Sequence, residues 1–104
     1  MSKSQRDKGK RGELEVANIL SDALGREVKR ILGQERDSGA DLRVGRFVMD
    51  VKRQETLKLQ EWCNQVEAAA DPMDVPVVVY RRNGQPWRVV LRLDDFIPMV
   101  RDTW

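Results

Sequence analysis

The stretch from residue 39 to residue 54 reads GADLRVGRFVMDVKRQ, and it decides the fold. Side chains alternate between the two faces of a strand, so over residues 47–53 an apolar face with Phe47, Met49 and Val51 lies opposite a face with Asp50 and Lys52. Gly45 and Arg46 suit a tight two-residue turn, so residues 41–44 are expected to fold back on that strand. The sequence therefore predicts an antiparallel hairpin with strands 41–44 and 47–53.

The register of this hairpin predicts a cluster of two acids and a lysine. With a two-residue turn, Leu42 faces Met49 and Asp41 faces Asp50, while Lys52 lies on the same face as Asp50. Opposed carboxylates with Cβ atoms about 5 Å apart repel each other unless a cation binds between them. Carboxylate oxygens favour Mg²⁺ or Mn²⁺. The alternative is a strand-start aspartate beside an ordinary ion pair on a solvated strand face.

The helix predicted over residues 12–24 supplies a third acid. Glu13 shares the apolar stripe of this helix with Val16 and Ala17, since these residues recur at helical spacing. A buried carboxylate is unfavourable unless a cation or strong donor compensates it. We therefore expect Glu13 to lie near the two aspartates. The alternative is a partly solvated glutamate in the first turn that complements the helix dipole.

The remaining elements follow from turn and cap signals. Apolar patterns bounded by Gly, Pro and Asn predict a strand over 27–32, a loop over 34–40, a helix over 57–70 capped by Thr56, strands over 76–82 and 87–93 joined at Asn83-Gly84, and a short terminal helix. The expected fold class is α/β (α+β), with a mixed central sheet flanked by helices.

Composition excludes several kinds of chemistry. The chain has 104 residues and a mass of 12.0 kDa, which is the size of one domain. It contains no histidine and one cysteine, Cys63, so Ser-His and Cys-His catalysis, His-Cys zinc sites and disulfides are excluded. No apolar run resembles a signal peptide or membrane span. We therefore expect a soluble protein of the cytoplasm, in a bacterial cell or a phage-infected host.

Positive charge is concentrated at the start of the chain. Residues 1–11 carry five basic side chains and one acid, a net charge of +4, whereas the whole chain has a net charge of +2. This division predicts a basic N-terminal arm over 1–11, followed by a single domain over 12–104. Such an arm suits contact with nucleic acid phosphates. The alternative is a solvated, frayed terminus.

Three motifs in order carry a family resemblance. Gly9 to Glu13 reads G-x-x-x-E, followed by Gly39-Ala40-Asp41 and then Asp50-Val51-Lys52. On this order of elements the chain resembles the PD-(D/E)XK nuclease superfamily, most closely the small Holliday junction resolvases of the archaeal type and their phage-encoded relatives. The resemblance implies a restriction-endonuclease-like αβββαβ core, with residues 12–104 as the nuclease domain. Ala40 replaces the frequent proline, and Asp50 replaces the commoner glutamate.

The resemblance also implies roles for the acids and the lysine. Asp41 and Asp50 would be the principal ligands of Mg²⁺, for which Mn²⁺ can substitute. Glu13 would be an additional or water-mediated ligand, and the carbonyl of Val51 would be a further one. Lys52 would lie near the attacking water, where it orients or deprotonates that water or neutralises phosphate charge.

The function implied is metal-dependent hydrolysis of DNA phosphodiesters, with branched DNA as substrate and a homodimer that matches the two strands of a junction. A nickase, or a repair or restriction nuclease of the same fold, is the nearest alternative. A non-catalytic nucleic-acid-binding module and a degenerate nuclease kept for assembly are the others. The residues expected to contact DNA are Lys8, Lys10, Arg11, Arg36, Ser38, Arg53 and Gln54.

Overall fold

The structure is a computed structural model that describes residues 3–32 and 40–104, with side chains from residue 8 onward. The elements in chain order are α1 (Lys3–Leu24), β1 (Leu42–Val44), β2 (Phe47–Arg53), α2 (Leu59–Ala69), β3 (Val75–Arg81), β4 (Arg88–Val90) and α3 (Leu93–Thr103). The four strands form one sheet in the order β1-β2-β3-β4. The outer pairs are antiparallel and β2 runs parallel to β3. This α+β architecture confirms the predicted fold class and is compatible with a restriction-endonuclease-like core.

The hairpin of β1 and β2 has the predicted register at every pair except that of Asp41. Leu42 pairs with Met49, and β2 has the predicted bounds, Phe47–Arg53. The amide of Asp41, however, donates to the carbonyl of Met49 at 2.8 Å. Two consecutive residues thus face one residue of β2, as in a β-bulge. The predicted direct pairing of Asp41 with Asp50 is therefore wrong at the level of the backbone.

Helices α1 and α2 lie on opposite faces of the sheet, and Met99 of α3 adds to the α1 side. Val16 and Ala17 of α1 belong to the apolar cluster on one face, and Trp62 and Val66 of α2 belong to the cluster on the other. Alternate residues of the two central strands enter the two clusters, since side chains alternate along a strand. The strand residues on the α1 side are Met49, Val51, Val75, Val77 and Val79, and those on the α2 side are Val48 and Val78.

Helix α1 begins at Lys3 rather than at the predicted Gly12, so residues 3–11 of the basic arm are helical. The first turns lack apolar spacing but contain residues compatible with a helix. At Gly12 the helix approaches the end of β2 closely, because an added Cβ would lie 3.1 Å from Cβ of Arg53. This close approach brings the helix face that carries Glu13 next to the carboxyl end of β2.

Two local predictions are wrong. Residues 27–32 form no strand, and the structure gives them only an isolated bridge between Arg30 and Leu42. Helix α2 begins two residues later than predicted, with Lys58 at the N-cap and no side-chain cap, so Thr56 does not cap it.

The C-terminal third confirms the second hairpin and extends the last helix. Strands β3 and β4 are joined by a turn in which Gly84 has a φ of +73°, in the left-handed region that favours glycine. Helix α3 spans 11 residues, longer than predicted, and includes Pro98. Within residues 3–32 and 40–104, no helix combines the length and the apolar character needed to cross a bilayer.

Candidate metal centre

A cleft of about 810 Å³ lies between the first half of α1 and the carboxyl end of β2. It collects residues that are distant in the chain: an acid from α1, an acid from the start of the hairpin and the last residues of β2. The predicted acids and lysine all line it, and the full lining is Lys8, Gly9, Lys10, Glu13, Arg30, Asp41, Asp50, Val51, Lys52, Arg53, Gln54, Glu55 and Thr56.

Asp41 is fixed by the backbone of β2. Its side chain is buried, and Oδ2 accepts a hydrogen bond from the N–H of Val51 at 2.8 Å. Because β1 begins only at Leu42, this carboxylate oxygen satisfies a strand amide that β1 does not reach. The bulge at Asp41 thus replaces one backbone contact with a side-chain contact. It directs the carboxylate toward the segment from Asp50 to Lys52.

Asp50 is a buried acid of the cleft with a raised pKa. Burial disfavours its charged form, and hydrogen-bond contact with the carboxyl group of Asp41 adds to this, so that the pKa of Asp50 is raised to about 8. The positive charge of Lys52 opposes this shift, since Nζ lies 3.6 Å from Oδ2. That distance makes an ion pair but exceeds a hydrogen bond. The buried Oδ2 atom therefore has no hydrogen-bond donor among the described residues.

Glu13 is buried as predicted, and Arg30 compensates it. Oε2 of Glu13 accepts from Nε of Arg30 at 3.1 Å and lies 3.1 Å from Nη2. Sequence analysis missed Arg30, although a buried glutamate on an apolar stripe requires a partner. The partner lies 17 residues away, in the segment predicted as a strand.

Glu13 shares the cleft with Asp41 and Asp50 but does not complete a group of three with them. In the described part of the chain, no three side chains of the types His, Cys, Asp or Glu are grouped closely enough to hold a metal ion together. The cleft thus contains a pair of carboxyl groups in contact and a separate glutamate–arginine pair.

Several predicted DNA contacts surround these acids. Four of the seven residues line the cleft: Lys8, Lys10, Arg53 and Gln54. Arg11 is exposed on α1 and is not part of the lining. Arg36 and Ser38 lie outside the described residues. The lining is therefore acidic at its floor and basic toward α1 and the end of β2.

Glu55, which was not among the predicted site residues, makes contacts across the rim of the cleft. Its Oε2 accepts from the N–H of Asn83 at 2.9 Å and lies 3.5 Å from Nζ of Lys8. The hydrogen bond from Asn83 and the charge of Lys8 lower the pKa of Glu55. These contacts connect the segment after β2 to α1 and to the turn between β3 and β4.

A second network attaches α1 to the far strands. Glu15 accepts from Nε1 of Trp87 at 2.9 Å and from Nη2 of Arg81 at 3.3 Å, and the Arg81 guanidinium lies 5.2 Å from the centre of the Trp87 ring. Burial works against the charge of Glu15, but the two hydrogen bonds outweigh it and lower its pKa. Glu15 therefore positions the helix that carries Glu13.

The chemistry of the carboxyl pair fits a hard divalent cation. Asp41 and Asp50 present only oxygen ligands, and Oδ2 of Asp50 is buried without a donor. A cation between them compensates the burial of the charge, which is the main cause of the raised pKa of Asp50, and also the contact with Asp41. Oxygen-only donor sets favour Mg²⁺ or Mn²⁺ over softer metals.

Comparison with protein-family models identified the family of the chain. The family model described as "Phage putative PDDEXK endonuclease" matches residues 4–103. Comparison with curated proteins and with solved structures gave no significant match. The matched region includes all the cleft residues described above. Nucleases of the PD-(D/E)XK type generally use divalent metals.

Proposed function

The chain belongs to the phage PDDEXK endonuclease family, and on this premise we propose that it is a Mg²⁺-dependent endodeoxyribonuclease that cuts branched DNA such as Holliday junctions. In this proposal it acts in DNA recombination as a homodimer, in the cytoplasm of a bacterial or phage-infected cell. The observation that carries the proposal is the contact between Asp41 and Asp50, with one buried carboxylate oxygen lacking a donor.

This contact favours catalysis over simple DNA binding. A phosphate-binding surface gains nothing from two buried acids, because these repel the ligand. Buried carboxyl groups in contact also lower the stability of the chain unless a cation or proton neutralises them. Their presence at the base of a cleft with basic walls is explained if a metal ion and a phosphate occupy it together.

In the proposed site, Asp41, Asp50 and the carbonyl of Val51 hold the metal. Mg²⁺ is the expected ion and Mn²⁺ can substitute. When bound, such an ion lowers the pKa of a coordinated water and neutralises charge on a phosphodiester. The hydrogen bond from Val51 to Asp41 holds that carboxylate in one orientation, so little ordering remains to be done when the ion binds.

The lysine and the glutamate–arginine pair act on the substrate side. Lys52 is held beside Asp50 and, in the proposal, orients or deprotonates the attacking water or neutralises the phosphate. Arg30 pairs with the carboxylate of Glu13 inside the cleft. Glu13 can thus contribute to the metal through a water while Arg30 adds positive charge near the phosphate.

The DNA backbone is proposed to follow the basic wall of the cleft. Lys8 and Lys10 lie on the α1 side, and Arg53 and Gln54 lie at the end of β2. Arg11, Arg36 and Ser38 extend the proposed contact set. Residues of this kind fix the position of the backbone without reading sequence, which suits a nuclease that recognises the shape of its substrate.

The proposal is tested by cleavage of a synthetic four-way junction beside a linear duplex of the same sequence. Each DNA is incubated with Mg²⁺, with Mn²⁺ or with EDTA. The variants are wild type, Asp50→Ala and the matched control Asp22→Ala, whose aspartate is exposed on α1. We expect junction cleavage with either metal, none in EDTA, and a loss on the order of 10³-fold in Asp50→Ala only.

Each part of the proposal has its own contrary result. Equal cleavage of both DNAs contradicts the branched substrate and favours a nickase or a repair or restriction nuclease. Cleavage in EDTA contradicts the metal. Binding of the junction without cleavage under all conditions favours a binding module. Equal loss in Asp22→Ala and Asp50→Ala contradicts the assigned site.

A further inference from the structure

Helix α3 exposes an apolar face that nothing in the described chain covers. Leu93, Phe96, Ile97 and Val100 of α3 and Trp104 directly after it have exposed fractions of 69%, 46%, 42%, 39% and 101%, and none of the residues of α3 is buried. Met99 on another side of the helix packs against the core. An apolar groove runs along the exposed face. Contiguous apolar surface of this kind marks an interaction site more often than isolated exposed residues do.

Four of these five residues form one stripe, and Phe96 lies beside it on the flank away from Asp94. The spacing of the four stripe residues is symmetric. The intervals from Leu93 to Ile97, to Val100 and to Trp104 are four, three and four residues, the same in both directions. An antiparallel copy of the helix related by a twofold axis therefore places Leu93 opposite Trp104 and Ile97 opposite Val100. The same patch then faces itself, as an isologous interface requires.

The charges beside this face agree with the same arrangement. Asp94 and Arg101 lie on one flank of the apolar stripe, because they are seven residues apart and thus about two helical turns. Neither forms an ion pair with a described residue. In an antiparallel pair each flank meets the same flank of the other helix. Asp94 of one copy then lies within reach of Arg101 of the other, twice in one interface.

We infer that α3 forms an interface between two copies of this chain, packed as an antiparallel helix pair. The inference gives the homodimer of the proposed function a surface and depends on that proposal only for its role in cutting. Eleven helical residues are about 16 Å long, which is short for a standard interface. The dimer is therefore weak, with a dissociation constant on the order of micromolar.

Sedimentation equilibrium of the full chain tests this, without DNA and without metal, from about 1 µM to about 500 µM. The variants are wild type, Ile97→Glu and the control Ile19→Glu, which changes an exposed isoleucine of α1. Charge is tested with Asp94→Arg, Arg101→Asp and the double variant. Circular dichroism confirms that each variant is folded.

We expect a monomer–dimer equilibrium in wild type and Ile19→Glu, weakened at least tenfold in Ile97→Glu. Each single charge reversal weakens association about fivefold, and the double variant returns it to within about twofold of wild type. A monomer at every concentration, or unchanged association in Ile97→Glu, overturns the inference, and so does a double variant no better than the singles. Since no DNA is present, these results are separate from any failure of cleavage.

Discussion

Strands β2 and β3 are neighbours of equal length and direction, yet their carboxyl halves have opposite chemistry. Both span seven residues, and Asp50 and Lys52 of β2 pair with Val78 and Tyr80 of β3. From Val75 to Val79, β3 buries only apolar residues. At the same depth, β2 buries an acid with a raised pKa and an oxygen without a donor.

Strand β3 stabilises this small domain, whereas the buried acid of β2 lowers its stability. The valines of β3 contribute to both apolar clusters and hold the helices on the sheet. Asp50 contributes no apolar burial and, without a cation, is unfavourable there. A sequence that only had to fold would place a valine at both positions, so the acid in β2 is retained at the expense of stability.

Placing a buried acid in β3, like the one in β2, is expected to cause the largest change in the free energy of unfolding. Val78→Asp buries a second carboxylate beside Asp50, at a position with 0% exposure. We expect a loss of about 4 kcal/mol in the free energy of unfolding, measured by urea denaturation. The control Val89→Asp, on an exposed position of β4, should cost less than about 1 kcal/mol. Equal losses in the two variants would contradict the contrast between the strands.

Removing the charge of Asp50 from β2 is expected to raise the free energy of unfolding, by less than Val78→Asp lowers it. The pKa of Asp50 is about 8 in the folded chain against 3.8 for an ordinary aspartate, so the folded state binds the extra proton. The stability that this proton contributes is complete below about pH 4 and is lost as the pH rises through about 8. Asp50→Asn keeps the neutral form at every pH. In EDTA, we expect it to exceed wild type by about 1–2 kcal/mol at pH 9 and by much less at pH 5.

The pH series has a matched control in Asp22→Asn, which changes an exposed aspartate of α1. Its stability difference from wild type should stay within about 0.5 kcal/mol and should not grow with pH. If Asp50→Asn is less stable than wild type at pH 9, the charged carboxylate of Asp50 is stabilised by its surroundings in the metal-free chain. Its burial is then not unfavourable, and the expectation is wrong.

The smallest effect concerns the approach of α1 to the end of β2. An added Cβ at Gly9 meets no atom within 4 Å, whereas at Gly12 it lies 3.1 Å from Cβ of Arg53. Gly9→Ala should therefore stabilise the chain by up to about 1 kcal/mol through helix propensity. Gly12→Ala should gain less or become destabilising. Equal gains, measured by thermal unfolding, would show that α1 does not sit tightly against β2.

The sequence was sufficient for the elements with strong local patterns. The alternation over 47–53 and the glycine turn before it predicted β2 to the residue, and the burial of Glu13 followed from its place on an apolar stripe. The superfamily followed from three motifs in order and is confirmed by the family match. These features depend on residues close together in the chain.

The features that sequence analysis missed depend on distant partners. Arg30 lies in a segment whose pattern suggested a strand, and only the position of Glu13 in space reveals its role. The bulge at Asp41 arises because its carboxylate binds the amide of Val51, a contact that an ideal hairpin register does not include. Helix α3 is longer than the short terminal helix predicted from the sequence, and it continues through Pro98 to Thr103.

Asp41 and Asp50 are proposed to bind a divalent cation, and a titration with Mn²⁺ decides whether they do. Free Mn²⁺ is followed by electron paramagnetic resonance while metal-free protein is added, for wild type, Asp50→Asn and the control Asp22→Asn. We expect wild type and Asp22→Asn to remove Mn²⁺ from solution with the same affinity and Asp50→Asn to bind it at least tenfold more weakly. Equal binding by Asp50→Asn and wild type, or no binding by wild type, would show that the two aspartates are not a metal site.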